Sequence, residues 1–109
     1  MSLPFTNDAT FAADVLTSST PVLVEFTASW CPPCKMIEPV LEQISRDEAG
    51  RLKVVSLDVD SNPETVRRYR VLSMPTLALF VDGEVVSQTV GARPRTAILR
   101  ELDAHLPAA

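Results

Sequence analysis

The feature that most restricts the fold is a pair of cysteines, Cys31 and Cys34, placed between two patterned segments. Residues 22–26 before the pair are nearly continuous in apolar side chains, which predicts a strand buried on both faces. After the pair, apolar side chains within residues 37–44 recur at helical spacing, and Gly50 is expected to close that helix. The cysteines are therefore predicted to lie where a buried strand passes into a helix.

Strand and helix patterns alternate along the flanking parts of the chain. An opening strand is expected to end at residues 5–6, and Asn7 or Asp8 can cap the helix that follows. Residues 52–59 form the next apolar strand. Pro63 then takes the first position of a short helix, where its missing amide hydrogen is not needed.

A hairpin and a last helix complete the pattern. Residues 76–81 and 85–90 are joined by Asp82-Gly83, a turn sequence typical of hairpins, and the final helix starts near Pro94. The predicted order is β-α-β-α-β-α-β-β-α, in which the early alternation requires parallel crossovers and the hairpin adds antiparallel strands. The chain is therefore predicted to be an α/β protein with a single mixed sheet and helices on both faces.

Length, charge and hydropathy limit the function. The 109 residues suffice for one domain, 1–109, that buries a core without structural disulfides, with residues 1–3 as a flexible terminus. A net charge of −4 argues against nucleic-acid binding, and no apolar run approaches the ~20 residues of a membrane span. No secretory signal is recognised at residues 1–5. We therefore expect a cytoplasmic protein and, because no oligomerisation pattern is seen, a monomer.

In a reducing cytosol, a cysteine pair is more often catalytic or metal-binding than structural. The spacing of Cys31 and Cys34 allows one sulfur to attack a substrate disulfide while the other waits to release the product. The alternative is half of a zinc site, which needs four ligands, and the remaining candidate His105 lies far away in the last helix. We therefore expect a redox pair and no metal.

Further motifs extend along most of the chain. They are Val24-Glu25-Phe26, Trp30-Cys31-Pro32-Pro33-Cys34-Lys35, Pro39, Asp58-Val59-Asp60-Ser61-Asn62-Pro63, Met74-Pro75-Thr76, Asp82-Gly83-Glu84 and Val90-Gly91-Ala92. A Cys-x-x-Cys alone would be a weak signal. Combined with Pro75-Thr76 and with a glycine after the last strand, it is a strong one, and the chain resembles the thioredoxin family.

The resemblance implies a thioredoxin fold in which the peptide bond before Pro75 is cis and this proline faces the cysteines. It also implies a shallow substrate groove formed by Trp30, Met74, Pro75, Gly91 and Ala92. The backbone of Met74 would pair there with an extended segment of the substrate, which is a form of β-augmentation. No bound cofactor is expected besides the redox-active disulfide itself.

Cys31 is the candidate nucleophile, because the amides and the positive dipole end of the following helix favour its thiolate. Cys34 lies one helical turn inward, where burial should keep its thiol protonated until it resolves the mixed disulfide. Glu25 is the natural proton acceptor, because burial in an apolar strand raises the pKa of a carboxyl group toward neutrality.

The active-site loop also contains Pro32, Pro33 and Lys35. Two prolines should make this loop stiffer than a glycine-containing one, because each fixes its φ angle. Positions that depart from the usual thioredoxin pattern are Glu25 for an aspartate, Thr27 for an aromatic residue, Pro32 for a glycine, Ser56 for a lysine and Ser73 for a glycine.

The leading hypothesis is a general reductant of protein disulfides, recharged by a flavoprotein of the thioredoxin reductase type that draws on NADPH. One alternative is a specialised exchange or oxidase protein of the same fold, tuned by Pro32. Another is a non-catalytic binding module of this fold, which the intact cysteine pair disfavours. Replacing Cys31 by serine separates these functions, since binding should survive the change and reduction should not.

Overall fold

The computed structural model describes residues 3–107 of the chain. Within that range the regular elements are a π-helical turn, four strands and three α-helices. In chain order they are the turn Ala12–Leu16, β1 (Val22–Thr27), α1 (Pro32–Asp47), β2 (Lys53–Asp58), α2 (Pro63–Arg68), β3 (Thr76–Val81), β4 (Glu84–Val90) and α3 (Arg95–His105). None of the helices described has the length and apolar character that crossing a bilayer would require.

The four strands form one sheet in the order β2-β1-β3-β4. β1 runs parallel to β2, with Val22 opposite Lys53, and antiparallel to β3, with Val22 opposite Phe80. β4 pairs antiparallel with β3 through a turn at Asp82 and Gly83, whose φ angles are 52° and 80°. Positive φ at both central residues is typical of a tight hairpin turn. The predicted mixed sheet and its hairpin are therefore confirmed.

The N-terminal segment differs from the prediction. In place of an opening strand, Phe5 forms a single parallel bridge to Ser56, flanked by backbone hydrogen bonds of 2.8 and 2.9 Å. Residues 1 and 2, expected in a flexible terminus, lie outside the described range. Leu3, expected there as well, is instead buried, because its apolar side chain packs into the core under α1 and α3.

The predicted capping of the first helix is wrong. Asn7 Oδ1 accepts a hydrogen bond from the amide of Thr10 at 2.9 Å, and so stabilises a separate turn before the π-helical turn. Asp8 instead caps α2, because its carboxylate accepts hydrogen bonds from the amides of Glu64 (3.1 Å) and Thr65 (3.0 Å). This contact joins distant parts of the chain, and local spacing does not reveal it.

Apolar side chains on the two faces of the sheet form separate core layers, so helices cover both faces as predicted. The layer under α1 and α3 includes Leu23, Ile37, Leu41, Ile44, Leu77, Leu79, Ile98 and Leu102. The opposite layer, under the π-helical turn and α2, includes Phe11, Val15, Val22, Val24, Phe26, Leu57, Ala78 and Phe80. β1 supplies side chains to both layers, which explains its continuous apolar run.

The alternation of side chains along β1 places Glu25 in the layer under α1. Leu23 belongs to that layer and Val24 to the opposite one, so Glu25 and Thr27 both point toward α1. Because β1 and β2 are parallel, their carboxyl ends lie at the same edge of the sheet, with Thr27 opposite Asp58. The chain leaves β1 for α1 at this edge, which is where ligands bind in open α/β sheets.

Two glycines with positive φ, Gly50 and Gly83, differ in their surroundings. Gly50 has a φ of +88° and lies beyond the end of α1 at Asp47, rather than closing the helix as predicted. A Cβ atom at Gly50 would meet nothing within 4 Å, whereas one at Gly83 would lie 2.7 Å from the backbone oxygen of Leu16. A residue with a side chain would therefore have a strained backbone at either position. Only at Gly83 would its Cβ atom also clash with the backbone of Leu16.

We expect Gly83→Ala to lower the free energy of unfolding by ~2–4 kcal/mol, because it combines left-handed strain with a backbone clash. Gly50→Ala is the matched control and should lose only the strain, about 1–2 kcal/mol. Urea denaturation of the two variants and the parent protein measures both values. Equal losses for the two variants would show that the contact with Leu16 does not constrain the hairpin.

Candidate active site

Cys31 and Cys34 form a disulfide at the start of α1, with their Cα atoms 5.4 Å apart. Cys31 is the N-cap residue, and its Sγ accepts a hydrogen bond from the amide of Cys34 at 3.2 Å. Cys31 is 3% exposed and Cys34 is 0% exposed. The sulfur of Cys31 therefore lies at the positive end of the α1 dipole, where a negative charge is stabilised once the disulfide is reduced.

The two prolines concentrate the hydrogen bonds of the first turn of α1 on Cys31. Pro32 and Pro33 open the helix and have no amide hydrogen to donate. The next two amides both turn back to Cys31: that of Cys34 donates to Sγ, and that of Lys35 donates to the carbonyl oxygen at 3.3 Å. The side chain of Lys35 is exposed. The loop is therefore tied to the helix through Cys31.

A second segment meets the cysteines from β3. The peptide bond between Met74 and Pro75 is cis, as the resemblance implied. Met74 packs against the buried cluster that contains Cys31 and Cys34. The carbonyl oxygen of Pro75 accepts a hydrogen bond from the amide of Gly91 at 2.8 Å. Met74 therefore lies beside the disulfide cluster, and Pro75, hydrogen-bonded to Gly91, follows it in the chain.

Trp30 and Ala92, expected in the same groove, lie on the surface. Trp30 is 61% exposed, and its Nε1 donates a hydrogen bond to Asp60 Oδ2 at 2.7 Å. This contact orients the indole ring from the loop after β2, and apart from the motif that contains Asp60 no sequence pattern predicts it. Ala92 follows Gly91 and is exposed. The part of both residues in substrate binding stays a prediction.

Glu25 is fully buried between the sheet and α1, as its apolar strand predicted. Its Oε1 accepts a hydrogen bond from Ser56 Oγ at 2.9 Å, whereas its buried Oε2 has no donor among residues 3–107. Burial, reinforced by the negative charge of Glu38, raises the pKa of Glu25 to about 8, and the bond from Ser56 offsets this only in part. In the oxidised protein Glu25 is therefore mostly protonated at neutral pH.

Glu38 is a residue of the site that sequence reasoning missed. It lies four residues after Cys34, so the two side chains share a face of α1. Thr27 Oγ1 donates a hydrogen bond to Glu38 Oε2 at 3.3 Å. The spacing from Cys34 was a usable signal, but only the direction of the β1 side chains shows that Glu25 meets this face of the helix.

A cavity of about 340 Å³ opens at the surface next to Glu38. Its lining residues are Phe5, Thr27, Ala28, Ser29, Lys35, Glu38 and Asp58. Ala28 also packs in the buried cluster of the two cysteines, so one wall of the cavity belongs to that cluster. No sequence pattern pointed to this cavity, because its lining comes from four separate parts of the chain.

The alternative role of the cysteines as metal ligands would need further ligands close to them. The part of the chain that the structure describes provides no such group. No three His, Cys, Asp or Glu side chains are grouped there so that they could hold a metal ion. His105, the other ligand considered, lies at the end of α3, with its Nε2 3.6 Å from Glu101 Oε1.

Known proteins are similar in sequence to this chain over most of its length. The thioredoxin family model matches residues 2–104. Thioredoxin from Mycobacterium tuberculosis (strain ATCC 25618 / H37Rv) is 56% identical over 100 residues, covering 92% of this chain and 86% of that protein. Thioredoxin C-2 from Corynebacterium nephridii is 48% identical over 101 residues, covering 93% and 94%. The bifunctional thioredoxin reductase/thioredoxin of Mycobacterium leprae (strain TN) is 51% identical over 100 residues, covering 92% and 22%.

Two thiols that can close into a disulfide within one helical turn have the chemistry to exchange disulfides with other proteins. On this fold, that chemistry defines the class of thiol–disulfide oxidoreductases. Because the thioredoxin family model matches residues 2–104 and a thioredoxin is 56% identical, the chain belongs to the thioredoxin family. It is accordingly an enzyme that reduces protein disulfides, with its own disulfide as the redox-active centre.

The raised pKa of Glu25 predicts that the oxidised protein loses stability as the pH rises. An unfolded glutamate titrates near 4.5 and folded Glu25 near 8, so between these values the folded state binds more protons. The contribution of Glu25 to the free energy of unfolding should therefore be largest below pH 4.5. Between pH 4.5 and about 8 it should fall by up to ~1.4 kcal/mol per pH unit.

Urea denaturation of the oxidised protein between pH 5 and 8 checks this prediction, because the disulfide-bonded cysteines do not titrate. The Glu25→Gln variant lacks the titrating group, so its stability relative to the parent should increase by a few kcal/mol over that range. Parallel pH profiles for the two proteins would show that folded Glu25 is already ionised at neutral pH.

Proposed function

We propose that Cys31 is the attacking cysteine and Cys34 the resolving one. The Cys31 thiolate attacks one sulfur of a client disulfide, a mixed disulfide forms, and the other client sulfur leaves as a thiolate. Cys34 then attacks Cys31 Sγ, which closes the Cys31–Cys34 disulfide and releases the second client thiolate. The observation that carries this assignment is the position of Cys31 as the N-cap of α1, with the fully buried Cys34 behind it.

In this mechanism Glu25 accepts the proton of the Cys34 thiol during the resolving step. Its burial in the layer under α1 and its pKa of about 8 support this role, because a base works best when its pKa is near the operating pH. The protonated Glu25 of the oxidised protein is then the product of that transfer. In the reduced protein, Glu25 and the cysteines titrate as a coupled set.

The client docks in the groove of Trp30, Met74, Pro75, Gly91 and Ala92. Exposure of Trp30, the contact of Met74 with the cysteine cluster, and the hydrogen bond between Gly91 and Pro75 support this assignment. An extended client segment would pair with the backbone of Met74 and so present its disulfide to Cys31.

The disulfide must be reduced again after each turnover, and a flavoprotein reductase that uses NADPH is the proposed source of electrons. The Mycobacterium leprae relative supports this, because its name joins a thioredoxin reductase and a thioredoxin in one protein. We further propose that residues 1–109 form one domain that acts as a monomer in the cytoplasm, where thiols are kept reduced.

Cys34→Ser should trap client proteins covalently, because Cys31 still attacks but no thiol resolves the mixed disulfide. We expect adducts on non-reducing gels that dithiothreitol cleaves, and loss of catalytic turnover. Cys31→Ser is the matched control, which should lose turnover and trap nothing. Trapping by Cys31→Ser in place of Cys34→Ser would reverse the two roles.

Glu25→Gln should slow the resolving step by on the order of tenfold or more, while the first attack changes less. An aromatic disulfide that releases one coloured thiolate in each step separates the two rates by stopped-flow absorbance. Glu84→Gln makes the same charge change at an exposed position at the other end of the sheet, and should alter neither rate. Equal slowing of both steps would remove Glu25 from the proton transfer.

A further inference from the structure

Glu38 has no part in the steps above, although it is the more exposed neighbour of Glu25. Glu25 is fully buried, whereas Glu38 is half-buried and lines the 340 Å³ cavity that opens to solvent. Glu38 also shares a face of α1 with Cys34, one turn earlier in the helix. The side chain of Glu38 therefore contacts the layer of the buried acid, through Thr27, and the surface cavity.

The hydrogen bonds of the two acids suit Glu38 to the role of acceptor for a proton from Glu25. Thr27 Oγ1 already donates to one oxygen of Glu38 at 3.3 Å, which fixes the side chain on the sheet side of α1. Oε2 of Glu25 is buried and has no hydrogen-bond partner among residues 3–107. A buried oxygen of this kind is stabilised if it carries a proton and donates it in a hydrogen bond. The negative charge of Glu38 favours this protonated form of Glu25, whose Oε2 would then have a proton to donate toward Glu38.

The charged groups around this pair come from α1 and from the end of β2. Lys35 and Asp58 line the same cavity, and Glu42 follows Glu38 one turn later on α1. Phe5, from the N-terminal segment, closes another side of the cavity with an apolar ring. Ser56, on β2, donates to the other oxygen of Glu25 and carries no charge. A negative charge on Glu38 therefore favours the protonated form of Glu25.

We propose that Glu38 is a positioning residue for the resolving step, which forms with Glu25 a pair that shares one proton and exchanges it with solvent through the cavity. This inference rests on the proposed role of Glu25 as proton acceptor. Glu38 would make Glu25 a stronger base toward the Cys34 thiol, since the negative charge beside it favours the protonated form.

The step balances without an added reagent. The Cys34 thiol gives its proton to the Glu25 carboxylate as its sulfur attacks Cys31 Sγ. The bond between Cys31 and the client sulfur breaks, and the client leaves as a thiolate with the electron pair. Protonated Glu25, the prevailing form in the oxidised protein at neutral pH, exchanges this proton with solvent through Glu38 and the cavity before the next turnover. Cys31 and Cys34 are oxidised, and the client is reduced.

The test is the pH profile of the second coloured thiolate released from the aromatic disulfide, between pH 5.5 and 9.5. Relative to the parent, Glu38→Gln should move the midpoint of this profile down by about one pH unit, because the charge beside Glu25 is gone. Its plateau at high pH should be a few-fold lower, because Glu25 has become a weaker base. The two profiles should therefore cross, and the first thiolate should be released at the parent rate.

Two further variants separate a specific role from a structural one. Glu38→Asp keeps the charge and should hold the midpoint closer to that of the parent than Glu38→Gln does. Glu84→Gln changes the net charge equally at a distant position and should leave the profile in place. Thermal unfolding of each oxidised variant confirms that it is folded at the temperature of the assay.

The inference is overturned if the Glu38→Gln midpoint coincides with that of Glu84→Gln, or if both thiolates slow together at every pH. Glu25→Gln in the same assay tests the proposed function by itself. If that variant keeps the pH profile of the parent, the role of Glu25 fails and the pair fails with it. If only Glu25→Gln alters the profile, the proposed function stands and Glu38 is not part of it.

Discussion

The site depends on one hydrogen bond, from the amide of Cys34 to the sulfur of Cys31, at the point where β1 passes into α1. Two prolines remove the amides that would otherwise compete in the first turn, so the remaining ones converge on Cys31. The helix begins a few residues after the buried strand β1, and Met74, before the cis bond to Pro75, packs against the cluster that contains both cysteines. The redox chemistry of the chain follows from this junction.

The departures from the usual thioredoxin pattern are physically linked. Ser56, where a lysine is frequent, donates to Glu25, and Thr27, where an aromatic residue is frequent, donates to Glu38. Two neutral hydroxyl groups thus donate to two neighbouring acids, and Lys35 lines the adjoining cavity. In the proposed mechanism, proton transfer therefore depends on two carboxyl groups, each with its own hydroxyl donor.

Much of the fold and of the redox centre could be predicted from the sequence, because these parts rest on local patterns. The strand before Cys31, the helix after it and the Asp82-Gly83 hairpin follow from periodicity and turn chemistry, and the structure confirms them. The missed features all depend on contacts between distant segments. Asp8 caps α2 instead of its own helix, Asp60 holds Trp30, and Glu38 meets Glu25 only because of the side-chain direction along β1.

The equilibrium reduction potential of the Cys31–Cys34 pair against a glutathione buffer tests the central claim most directly. A disulfide reductant must hold its electrons at a low potential, and we predict a value close to the thioredoxin reference of ~−270 mV. A value near ~−180 mV, typical of disulfide isomerases, would contradict the account. It would show that the junction built on Pro32 and the carboxyl pair favours disulfide exchange over reduction.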